Sequence, residues 1–182
     1  VHVSRNLIIF VKSESDVNKR RFVAANRILE AADSCCSKKL VIHSVDAIPL
    51  EQITYTRLTH LQLFGSTSVD DVMQLIRRLP HLVSLHVAYL NLDDIQTDFS
   101  IPECAEHEPM APLDTQIKRL TIEYVQIVGS PELGAQMLKY LLLRIPTLKS
   151  FNTLFVSVEQ LQAFIDEYVQ WYPHLANIRL MK

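Results

Sequence analysis

The sequence predicts an α/β solenoid: one parallel sheet with all of its helices on one face. Three observations predict it. Five segments share the spelling apolar-x-x-apolar-x-apolar, the intervals between them carry helical periodicity, and the strand positions between the apolar ones are polar. Strand alternating with helix demands parallel strands, because a parallel pair needs a crossover long enough to bring the chain back. The polar alternation then chooses between one covered face and two. A parallel sheet covered on both faces reads as continuous apolar runs. Here His60 and Gln62, Ser84 and His86, Arg119 and Thr121, and Asn177 and Arg179 interrupt the runs, so one face is wet.

In chain order, Asn6–Val11 and Lys39–Val45 spell two strands, with a helix from about Asp16 to Ala32 between them. Both strands are apolar on both sides, as strands are where a capping segment covers the outer face as well. The five clear copies follow: Leu58–Leu63, Leu82–Val87, Ile117–Ile122, Leu148–Thr153 and Leu175–Leu180. Pro80, Pro146 and Pro173 stand two residues ahead of three of them, where proline stops the preceding helix and sets an extended lead-in. The fourth copy has two frames, one centred on Phe151 and one slipped to Phe151-x-x-Leu154-x-Val156.

The helices have their own signals. Ser68 caps a run with Val69, Val72, Met73, Ile76 and Leu79 at helical spacing. Ser130-Pro131 opens a second, with proline at the first position and Leu133, Met137, Leu138, Leu141 and Ile145 inward. Ser157 with Gln160 spells a capping box, followed by Leu161, Phe164, Ile165, Tyr168 and Val169 on one face. Trp171 and Tyr172, beside Pro173, read as packing against the next strand.

The central residues Leu61, Leu85, Leu120, Phe151 and Ile178 are 24, 35, 31 and 27 residues apart. The longest interval holds Asp93–Asp114, with seven acidic residues, three prolines and no Lys or Arg. It reads as an irregular, mobile insertion.

The repeated Leu-x-x-Leu-x-Leu strands resemble the ribonuclease-inhibitor-like branch of leucine-rich repeats. The Pro-x-Leu-x-x-Leu lead-in and uneven repeat lengths are similar to the repeat regions of fungal F-box-type proteins. The resemblance covers Leu58 to Leu180 and implies a leucine-rich-repeat-like solenoid with an open sheet face for binding. The asparagine that the pattern places shortly after the strand is mostly missing, Asn91 being the nearest candidate. No F-box helix pattern is visible.

Composition narrows the function. The chain has 182 residues with a formal net charge of −2, so no global basic field points to nucleic acid or an anionic membrane. No apolar run reaches the ~18 residues that span a bilayer. Three glycines leave nothing for a phosphate-cradling loop, which needs several close together. Cys35, Cys36 and Cys104 read as free thiols of a reducing, cytoplasmic or nuclear setting. Glu103–Glu108, around Cys104 and His107, reads as a solvated acidic loop without the fixed spacing of a zinc site. Lys19-Arg20-Arg21 reads as a solvated helix face. No cofactor or metal is expected. Residues 1–182 are expected to form a single domain belonging to a longer chain, since Lys182 would otherwise leave the last strand as an open edge.

The function expected is that of a non-enzymatic protein-interaction module, the substrate-reading part of an adaptor, with a protein partner and neither nucleic acid nor membrane. Its binding residues are the outward positions His60, Gln62, Ser84, His86, Arg119, Thr121, Asn177 and Arg179, with Asn152 in the fourth copy. The loops Phe64–Ser68, Asn91–Asp114 and Gln126–Ser130 add a rim. One alternative is a small-molecule hydrolase or transferase on a doubly wound sheet, which gathers polar groups at the carboxyl ends of strands. Ser44, Asp46, Ser66–Ser68, Asn91 and Asp93 are available there and spell no nucleophile elbow or triad. A purely structural spacer is the other.

Overall fold

The computed structural model describes the backbone of residues 6–10 and, in full, residues 38–43, 57–92, 101, 110–126 and 131–181. The described residues form one parallel sheet with three helices. Its seven strands lie in chain order: β1 (Asn6–Phe10), β2 (Lys39–His43), β3 (His60–Ser68), β4 (Ser84–Asn91), β5 (Arg119–Gln126), β6 (Ser150–Thr153) and β7 (Arg179–Met181). The helices are α1 (Val69–Arg78), α2 (Pro131–Arg144) and α3 (Val158–Tyr168). The expected helix over Asp16–Ala32 lies outside the described residues.

Pairing is in register across the sheet. Leu40, Leu61, Leu85, Leu120, Phe151 and Leu180 stand side by side. Phe151 is therefore the centre of the fourth copy, and the slipped frame is excluded. Those residues up to Phe151, and Ile42, Leu63, Val87 and Ile122 two residues on, are buried. They join the inward residues of all three helices in one hydrophobic cluster.

Local chemistry places the helices where the spelling does. Ser68 is extended at φ −71° and its hydroxyl accepts from the Asp71 N–H at 3.1 Å, satisfying an otherwise orphaned amide. Ser157 and Gln160 form the reciprocal capping box. Each helix then exits through the same turn. Leu82 N–H donates to the Leu79 carbonyl, Leu148 to Ile145 and Leu175 to Tyr172.

The last lead-in departs from the expected frame. Two extra residues separate the Leu175 turn from the sheet, in a 3-10 turn over Pro173–Asn177. Leu180, rather than Ile178, therefore pairs with Phe151.

The strands also run further than the spelling, and their second half changes phase. After Leu63, Val87, Ile122 and Thr153, buried positions recur at Thr67, Leu90, Val125 and Val156, with Ala88 also buried in β4. In the last three copies that is a step of three, where plain alternation gives two. Within that step Tyr89, Tyr124 and Leu154 are exposed, whereas Ala88 is buried and Phe155 packs against the core. In β3 one more residue is inserted, and Gly65 takes it at φ 143°, a conformation that a Cβ disfavours. Thr67 is buried with its hydroxyl unpartnered among the described residues, where its neighbours Leu90 and Val125 are apolar.

The described end of the insertion is tied to the helical layer. Leu113 is buried and its N–H donates to the Arg144 carbonyl at 2.7 Å. The Tyr172 hydroxyl accepts from the Met110 N–H at 2.9 Å. Residues 110–114 of the insertion are thus anchored, Met110 and Leu113 packing on the core. Tyr172 is buried in the core cluster and Trp171 packs against it, where packing against the next strand was expected.

Candidate binding face

The side of the sheet opposite the core is made of two polar rows and an aromatic ridge. Register places Lys39, His60, Ser84, Arg119, Ser150 and Arg179 side by side in the first row. The second row is Val41, Gln62, His86, Thr121, Asn152 and Met181. Seven of the eight predicted site residues, with Asn152, therefore share one face. Asn177 does not: it is exposed in the 3-10 turn, off the sheet. The same two-residue insertion moves Arg179 into the row of His60 and Arg119, away from Thr121.

These side chains are less solvated than strand alternation implies. Gln62, His86, Thr121 and Asn152 are only partly exposed, because neighbours on adjacent strands stand against them. The His86 side chain is 20% exposed, and its Nε2 lies 3.1 Å from Glu123 Oε1. That approach is out of line for a hydrogen bond. The contact is an ion pair only when the ring is protonated.

His60 is half-buried. The Thr59 hydroxyl donates to the Lys38 carbonyl at 3.0 Å, which leaves its oxygen to accept from His60 Nδ1 at 2.8 Å. Burial, and then the Arg119 and Lys39 charges, hold the imidazole pKa below its ordinary value. The fold thus favours neutral His60, so its contribution is present above the unfolded pKa and is lost as pH falls. Stability is expected to decline as pH drops through about 6.5. His60→Gln removes that part of the decline, and thermal melts of both proteins across this window check it.

Beyond the second row the face becomes aromatic. Phe64 stacks on His43 with ring centroids 4.8 Å apart and meets His86 at 5.2 Å. Tyr89 and Tyr124 pair across β4 and β5 and stack at 5.4 Å. They are 48% and 47% exposed, and Leu154 beyond them is 60% exposed. The outward turn of the strands creates this ridge. Plain alternation from Val87 and Ile122 would have sent both tyrosines inward, and so the sequence reading missed them. The available signal was the apolar residue recurring three positions on, at Leu90, Val125 and Val156.

One of the expected rim loops is strand instead: Phe64–Ser68 belongs to β3. Among the described residues of the other two, only the first, Asn91 and Gln126, are strand, ending β4 and β5. Ser66 and Asn91 are partly buried there. Lys19, Arg20, Arg21, Cys35, Cys36, Ser44, Asp46, Asp93 and Glu103–Glu108 lie outside the described residues. Among the described residues, no group of three His, Cys, Asp or Glu is placed to hold a metal ion. No described helix is long and apolar enough to cross a membrane. The chain matches no protein-family model, and neither a curated protein nor a solved structure is significantly similar to it.

Proposed function

We propose that this chain is part of a leucine-rich-repeat-like solenoid that binds a protein partner on its outer sheet face, as the substrate-reading part of a larger adaptor. The observation that carries the reading is the exposed ridge of Tyr89, Tyr124 and Leu154 on that face. Aromatic side chains with a wet polar tip are the commonest anchors of protein interfaces. Nothing in the fold requires two stacked tyrosines there, since the core is closed behind them by Leu90 and Val125.

The repeat reading has support in the same residues. The leucine-rich pattern is L-x-x-L-x-L-x-x-N/C-x-L. Leu82, Leu85, Val87, Leu90 and Leu92 reproduce its spacing, and so do Leu148, Phe151, Thr153, Val156 and Val158. The asparagine position thus falls on Leu90 and Val156 rather than on Asn91. Apolar side chains fill it, as packing in place of hydrogen bonding.

The test is affinity capture with the full-length protein, comparing wild type with Tyr89→Ala/Tyr124→Ala. Truncating a central interface aromatic costs about 2 kcal/mol or more, roughly 30-fold in affinity. The two tyrosines are half-exposed, so the melting temperature is expected to stay within a few degrees. A partner retained equally by both proteins would sink the proposal.

A further inference from the structure

Basic residues gather at four of the strand starts. Lys39 begins β2, Arg119 begins β5 and Arg179 begins β7, while Lys38, Lys118 and Lys149 stand immediately before β2, β5 and β6. They are neighbours through the backbone. Thr59 and His60 N–H groups donate to the Lys38 carbonyl, those of Val83 and Ser84 to Thr59, and those of Lys118 and Arg119 to Val83. Lys149 and Ser150 continue the chain on Lys118, and Arg179 on Lys149. None of the described residues at these strand starts or in the two outer rows is acidic; Glu123, two residues beyond Thr121, stands against His86. The molecule as a whole carries −2, so this edge is a local reversal of sign. Burial lowers the His60 pKa, and the neighbouring Arg119 and Lys39 charges lower it further.

Size selects the kind of occupant. Seven strands at about 4.8 Å spacing span roughly 29 Å, and Ser84 to Tyr89 rises about 17 Å at ~3.3 Å per residue. That area, roughly 490 Å², is below the ~800 Å² per partner of a stable globular interface. An extended segment, reaching from the basic edge to the aromatic ridge, fits the dimensions.

We propose that the outer face takes an acidic, partly apolar peptide segment of a partner protein, its carboxylates on the basic strand starts and its apolar side chains on Phe64, Tyr89 and Tyr124. The proposal rests on the reading of this face as the binding surface and names the chemistry of what it binds. A peptide is favoured over single-stranded nucleic acid because Tyr89 and Tyr124 use a ring face on each other, and Phe64 uses one on His43. Nucleobases bind by stacking on free ring faces.

The experiment uses the full chain and a fluorescent twelve-residue peptide alternating glutamate with leucine and phenylalanine, read by anisotropy. Binding is expected to weaken as salt rises from about 50 mM to about 500 mM, through screening of exposed charges. Arg119→Glu/Arg179→Glu is expected to weaken it about tenfold, as rim charges set encounter and register. Arg77→Glu, on the helical side, leaves it unchanged. Loss through both the arginine pair and Tyr124→Ala supports the proposal together with the face reading. Loss through the arginine pair alone supports the basic row and sinks the aromatic-ridge reading. Loss through Tyr124→Ala alone overturns the proposal and leaves the face reading standing. Absence of binding overturns it, and so does an oligonucleotide of equal charge that binds more tightly than the peptide.

Discussion

Leu120→Glu is expected to unfold the protein, while Arg119→Glu, one residue away, leaves it folded. Leu120 is 1% exposed in the middle of the sheet, with Leu85 and Phe151 on either side. A glutamate there loses the apolar burial of a leucine and places a carboxylate where no described neighbour can pair with it. An uncompensated buried charge costs several kcal/mol even after its pKa rises. A domain stable by about 5–15 kcal/mol has little margin for that. Arg119 projects from the opposite side and is exposed, so its charge reversal is expected to change stability by no more than about 0.5 kcal/mol. Circular dichroism melts of the two variants check the pair. Equal destabilisation would mean that the outer face is covered, and the binding-face reading would fall with it.

Phe151→Ala is expected to cost about 3–5 kcal/mol, the range for deleting a buried aromatic side chain. Phe151 is fully buried and carries the fourth strand's contact with the core, between Leu120 and Leu180. Leu154→Ala in the same copy is expected to change stability by less than about 0.5 kcal/mol, because Leu154 is 60% exposed. The contrast separates the two frames that the fourth copy spells. Urea titrations supply the values. A large loss at Leu154 would show that the strand pairs in the slipped frame, where Leu154 takes the central inward position.

The inner half of each strand was legible because period-2 alternation and burial are the same physical fact there. Leu61-x-Leu63, Leu85-x-Val87 and Leu120-x-Ile122 face the core because hydrophobic burial is the dominant favourable term and the pleat leaves no other way to satisfy it. The helix starts were legible for an equally local reason. A serine hydroxyl that satisfies the second or third amide acts within four residues, as Ser68 and Ser157 do.

What the strands do after that pattern was not legible by alternation. The outward turn at Tyr89 and Tyr124 depends on neighbouring strands turning together, so that Thr67, Leu90 and Val125 pair in register. The same holds at the other end of the sheet. Leu175-Ala-Asn-Ile-Arg-Leu180 spells the repeat, but the chain spends two of those residues in a turn. Leu180 rather than Ile178 meets Phe151, and Asn177 leaves the face.

The sequence by itself determined the succession of parallel strands in chain order, the helix starts at Ser68 and Ser157, and which residues at the starts of β3, β4 and β5 form the core. These follow from contacts within one repeat, where spacing along the chain dictates facing. Only the tertiary structure decided which strand residues stand in the same row, and with it the two features that carry the functional reading. The basic edge joins Lys39, Arg119 and Arg179, and the ridge joins Tyr89 to Tyr124. Their members are 35 or more residues apart. Cross-strand register brings them together, and register is set by the sum of packing across the sheet rather than by any one segment.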